Sequence, residues 1–130
     1  MIGTFILAVL LSTTVPTAGN HATGDGTTPA REVLRVTFVQ PVLVQNTWLL
    51  GTYIIEHDKH RMERGEHCTH LYSVHHPRRV AVKFHCTHID RPEAKAPTVA
   101  VQRMGFSSDG YVLKEFQFKG STEGHGVPRR

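Results

Sequence analysis

From about residue 31 onward, apolar and polar positions alternate mostly with a period of two, which predicts strands rather than helices. Glu32–Val44 is rich in Val, Leu and Phe and is interrupted by Pro41. A proline cannot donate to a ladder, so this stretch reads as an edge strand or as two short segments. Arg31–Val44 is also the closest approach to a helical pattern, at its start. Thr47–Glu56 places Trp48, Leu50, Thr52 and Ile54 on one face and Leu49, Gly51, Tyr53 and Ile55 on the other. Both faces are largely apolar, which predicts a central strand covered on both sides. His57–Glu66 is a charged loop with room for one helical turn, closed by Gly65. Two hairpins follow. His67–Thr87 turns at His76-Pro77-Arg78, and Thr98–Phe118 turns at Ser107-Ser108-Asp109-Gly110. Asp90–Pro97 connects them. The pattern predicts an all-β, antiparallel domain of about six strands.

The ends of the chain read differently. Met1–Gly19 carries no charged residue, and its apolar run from Ile2 to Leu11 is followed by small residues at Thr17-Ala18-Gly19. A run of about ten residues is half of what a bilayer span needs. The segment reads as a secretory signal peptide, with a buried N-terminal strand as the alternative. The expectation is a secreted, extracellular protein without a membrane span. Residues 20–31 form a Gly/Thr-rich flexible leader, residues 32–119 the β-domain, and residues 120–130 a polar, Gly-rich tail expected to fray.

A chain of 130 residues holds one domain. Its formal net charge of +4 favours acidic partners such as glycosaminoglycans. No basic stripe alternates with aromatics, which argues against nucleic acid.

Cys68 and Cys86 are the only cysteines. With the turn at Pro77, residues whose numbers sum to 154 oppose each other. Cys68 then faces Cys86, His70 faces Phe84, Tyr72 faces Val82 and Val74 faces Val80, giving one apolar face. The other face is polar. Directly opposed Cα atoms lie about 4.5–5.5 Å apart, within disulfide range. A Cys68–Cys86 disulfide is therefore expected, stabilising the fold by roughly 3 kcal/mol.

Eight of the ten histidines lie between His57 and His88, and the tetrapeptide HCTH occurs at 67–70 and at 85–88. One reading is a zinc site of Cys68, Cys86 and two histidines. It competes with the disulfide for the same sulfurs, and its spacing matches no zinc finger. His67 and His85, diagonal on the polar face at roughly 7 Å, are a second version. Surface histidines on a solvated face are the simpler reading, and pH sensing near pH 6 is a further one. No metal or cofactor is assigned on this basis. No nucleophile elbow, P-loop, HExxH or GxGxxG occurs, so no catalytic residue is assigned and no enzyme is expected.

The stretch Thr47–Cys68 resembles tick salivary lipocalins of the histamine-binding type. The matching positions are Trp48, Leu49, Leu50, Thr52, Tyr53, Asp58, Gly65 and Cys68. The resemblance implies an eight-stranded antiparallel barrel, secreted in saliva, that carries a biogenic amine or a lipid mediator. The chain departs from that pattern in its lower strand count, its two cysteines and its hairpin pairing, so an incomplete barrel is expected. Trp48, Leu50, Tyr72, Val82, Phe84, Phe116 and Phe118 become candidates to line the interior. Glu56 and Glu115 are the candidate carboxylates for an amine. The reading is a secreted carrier of a small amphipathic or amine ligand. The alternatives are a β-domain binding host proteins or glycosaminoglycans through Arg78, Arg79, Lys83 and Arg91, and a His-rich metal-sequestering or antimicrobial protein.

Overall fold

The computed structural model describes residues 6–8, 29–105 and 110–129. Among the described residues there are nine strands and one helical turn: β1 (Ile6–Ala8), β2 (Arg31–Val44), β3 (Thr47–Asp58), α1 (Lys59–Glu63), β4 (Thr69–Ser73), β5 (Val80–Phe84), β6 (Thr87–Asp90), β7 (Thr98–Arg103), β8 (Tyr111–Gln117) and β9 (Glu123–Gly126). No described helix is long and apolar enough to cross a membrane. The all-β class is as expected, but the sheet is mixed, with more strands than six. Its one parallel pairing joins Val42–Leu43 of β2 to Tyr111–Val112 of β8.

The sheet is a curled half-barrel. Its main path runs β1-β7-β8-β2-β3-β4-β5, and a second arm leaves β8 through β9 to β6. Only His85 and Cys86 separate β5 from β6. The two arms therefore meet at those residues, and this seam organises the molecule.

The β2–β3 hairpin is the longest element, and a register shift between Phe38 and Val42 bulges out Val39, Gln40 and Pro41. The missing donor of Pro41 is thus absorbed in a bulge, and β2 continues past it as one strand. Gln45, at φ 57, closes the two-residue turn. On β3 the inward face carries Leu49 and Ile55, opposite Val42 and Leu34. Trp48 and Leu50 point outward, 51% and 61% exposed. Both faces of β3 are apolar, but only one is covered, which corrects the expectation of a two-sided strand. The Trp48 ring instead lies over Gly110, where an added Cβ would meet it at 2.8 Å.

The β4–β5 hairpin is shifted by one residue from the expected register. Thr69 opposes Phe84, His70 opposes Lys83 and Leu71 opposes Val82, with a bulge before Tyr72–Val80. The inward face of β4 is therefore Thr69 and Leu71, both fully buried. The reason is the greater apolar gain from Leu71 than from His70 and Tyr72, whose polar atoms bond each other at 3.1 Å on the outer side.

Two segments differ from expectation at the ends. Ile6–Ala8, inside the stretch read as a signal peptide, runs antiparallel to β7; the rest of that stretch and most of the leader lie outside the described residues. The polar tail contains β9, clamped between β6 and β8. Gly124 and Gly126 make this possible. A Cβ on Gly124 would meet Glu115 Oε2 at 2.6 Å, and one on Gly126 would collide with Thr87. The second hairpin forms as β7–β8, although Ser107–Asp109 of its turn lie outside the described residues.

Candidate metal centre

Four side chains converge on the seam. His57 comes from the end of β3, with Leu49 and Ile55 on its inward face. Cys68 directly precedes β4, and Cys86 sits between β5 and β6. His125 comes from β9, opposite His88 on one side and Phe116 on the other. His57, Cys68 and His125 are at most 1% exposed, and Cys86 is half-buried. The two Sγ atoms are 3.3 Å apart, and Cys86 Sγ lies 3.4 Å from His125 Nδ1. One ligand atom each from His57, Cys86 and His125 falls within 4.8 Å of the others. The rings of His57 and His125 are 4.3 Å apart, with Phe116 stacked on His125 at 5.1 Å and Phe118 edge-on at 5.4 Å.

The cysteines, expected as a disulfide, are free thiols here, at a contact distance rather than the roughly 2.05 Å of a bond. The hydrogen bond from the Cys86 thiol favours thiolate at Cys68 despite burial, and the Cys86 backbone N–H, 3.3 Å from Cys68 Sγ, adds to it. Cys86 shifts the opposite way for the same reason. Burial pushes His125 down to about 4, so its imidazole is neutral near pH 7 and has a lone pair to offer. Both ring nitrogens of His57 and Nε2 of His125 are buried with no hydrogen-bond partner. Each such orphan costs about 1–3 kcal/mol.

A tetrahedral zinc ion with Zn–S near 2.3 Å and Zn–N near 2.05 Å sets its ligand atoms roughly 3.3–3.8 Å apart. The observed 3.3 and 3.4 Å are close to that spacing. Two sulfurs and two imidazoles are a donor set that suits zinc. Two thiolates would cancel the charge of a divalent ion, so a filled centre would be neutral and could be buried. Two carboxylates border it. Glu32 opposes His57 across β2–β3 and is raised by burial. Glu123 is also penalised by burial, but its bond to His88 lowers it overall.

The sequence-derived candidates are scattered. Val82, Phe84, Phe116 and Phe118 are buried in the core, Tyr72 is half-buried on the outer side, and Trp48 and Leu50 are exposed. They line no common chamber. The apolar hollow among Val36, Phe38, Val42, Val99, Val101 and Tyr111 holds about 50 Å³, against roughly 300–1,000 Å³ for sites that engulf a small molecule. Glu56 is held by Arg31 and Arg61, and Glu115 by Arg91, so neither carboxylate is open to an amine. The Arg91–Glu115 pair also takes one cation out of the expected basic patch; Arg78, Arg79 and Lys83 remain exposed. His67 and His85 do come together, edge to face at 4.7 Å, beside the thiols but outside the cluster.

Sequence reasoning named both cysteines and missed both histidines. His57 shares odd parity with Leu49 and Ile55, which was a usable signal. His125, between two glycines in a polar tail, gave none. No family model, curated protein or solved structure matches the chain.

Proposed function

We propose that this chain is a metal-binding β-domain that holds one zinc ion through His57, Cys68, Cys86 and His125, and that the ion's role is structural. The observation that carries this reading is a largely buried cluster of two free thiols and two imidazoles, three of whose four ring nitrogens lack a hydrogen-bond partner. A full set of four protein ligands leaves no open position for substrate, the pattern of structural rather than catalytic zinc. The placement supports the same role. His57 and Cys68 belong to the β3–β4 side, His125 to the β9 arm, and Cys86 to the joint between them. An ion there staples the two arms of an open sheet, which a domain of this size uses in place of a larger core.

The test is calorimetric titration of reduced, metal-free protein with zinc, followed by cobalt substitution. The expected result is one equivalent bound tightly, and a cobalt spectrum with thiolate charge-transfer bands and tetrahedral d–d bands. Reduced protein that takes up no zinc at micromolar concentration would rule the centre out. Recovery of a stable Cys68–Cys86 disulfide from native protein would restore the competing reading.

A further inference from the structure

A second cavity lies away from the proposed metal centre, on the outer face of the sheet. It measures about 400 Å³, within the range of small-molecule sites. Leu43 and Val112, paired across the parallel β2–β8 contact, form part of its floor. Leu43 stands between the buried Val42 and Val44, so its side chain points away from the core. Val127 and Pro128 form a wall. That wall is fixed in two places: Val127 N–H donates to Lys114 C=O at 2.9 Å, and the Gln45 amide donates to Pro128 C=O.

The charge around this apolar floor is one-sided. Arg103, Lys114 and Arg129 line the cavity, and among the described residues no Asp or Glu does. Elsewhere, Arg31 and Arg61 pair with Glu56, Arg64 with Glu66 and Arg91 with Glu115. Among the described residues no carboxylate answers the three cavity cations. Gln102 adds an amide donor at the same rim. A concave apolar floor with cations at its mouth matches a molecule with a short apolar body and an anionic head.

We propose that this outer cavity binds a small amphipathic organic anion, a carboxylate or phosphate bearing a short apolar chain. The apolar part rests on Leu43, Val112 and Val127, and the head meets Arg103 and Lys114. This site is independent of zinc and lies outside the sheet interior.

The experiment is ¹H–¹⁵N NMR titration of the zinc-loaded protein with octanoate, 1-octanol and inorganic phosphate. Octanoate is expected to give saturable shifts confined to residues 43–46, 102–105, 112–114 and 127–129. Octanol and phosphate, each with half the chemistry, should bind about tenfold more weakly or not at all. The Arg103→Ala/Lys114→Ala protein should keep its zinc and its spectrum elsewhere, yet bind octanoate about tenfold more weakly. Equal binding of octanol would overturn the anion requirement, and phosphate as tight as octanoate would reduce the site to a simple anion patch. Octanoate shifts that are absent, lie elsewhere, or survive the double substitution would overturn the proposal.

Discussion

The tetrapeptide His-Cys-Thr-His occurs twice, and the fold brings the two copies together. In both, the cysteine turns inward to the shared cluster, and the preceding histidines, His67 and His85, meet edge to face. There the likeness ends. Thr69 of the first copy is fully buried between β3 and β5, whereas Thr87 of the second is exposed opposite Gly126. His70 leans on Tyr72, while His88 sits in water between Asp90 and Glu123. The first copy has a strand on each side, and the second has β9 alone. Identical residues therefore acquire different roles from the strands beside them. The histidines placed to hold metal come from outside both copies.

The sharpest way to break this comparison is to remove one sulfur from each copy. Zinc contributes about 10–16 kcal/mol to structural sites of this type at pH 7. Cys68→Ser and Cys86→Ser should each lose zinc affinity by more than the roughly 10–100-fold typical of outer-shell changes. Each should also lose the drop in Tm that a chelator causes in the parent protein. If thermal unfolding of either variant still responds to chelator as the parent does, that cysteine is not a ligand.

Next in size is a core test of the shifted register. Leu71→Ala should cost about 2–5 kcal/mol in urea unfolding of zinc-loaded protein, and Tyr72→Ala less than half of that. A larger loss at Tyr72 would return β4 to the unshifted pairing.

Glu56→Gln comes third. Glu56 lies across from His70 and is 4% exposed between Arg31 and Arg61. Its loss should destabilise by about 1–3 kcal/mol, with zinc stoichiometry unchanged in metal analysis. A variant as stable as the parent would show that this pair only decorates the surface of the first copy.

The smallest effects belong to the repeat histidines. His70→Ala and His88→Ala should each change stability by no more than about 1 kcal/mol, since one is half-buried and the other exposed. Both should retain one zinc. Loss of metal in either would move a ligand back into the tetrapeptides.

The all-β class, the β7–β8 hairpin and the closeness of the two cysteines were legible because they rest on local alternation and spacing. The register of β4 was not, because His70 and Tyr72 mimic an apolar face that Leu71 outcompetes only once β3 is in place. The exposure of Trp48 and Leu50 depends on β3 being covered on one side only, a property of topology. Least visible was β9. Gly-His-Gly carries no strand propensity, and its order derives from β6 and β8 packing against glycines that leave them room.

His125 also has a consequence in time. His57, Cys68 and Cys86 emerge from the ribosome well before it, so a nascent chain carries three donors with the fourth still unmade. Until β9 is in place, Cys68 and Cys86 lack the cover of His125, and a centre of the proposed kind would be one ligand short. Synthesis itself therefore passes through an interval in which the pair is less protected than in the finished molecule.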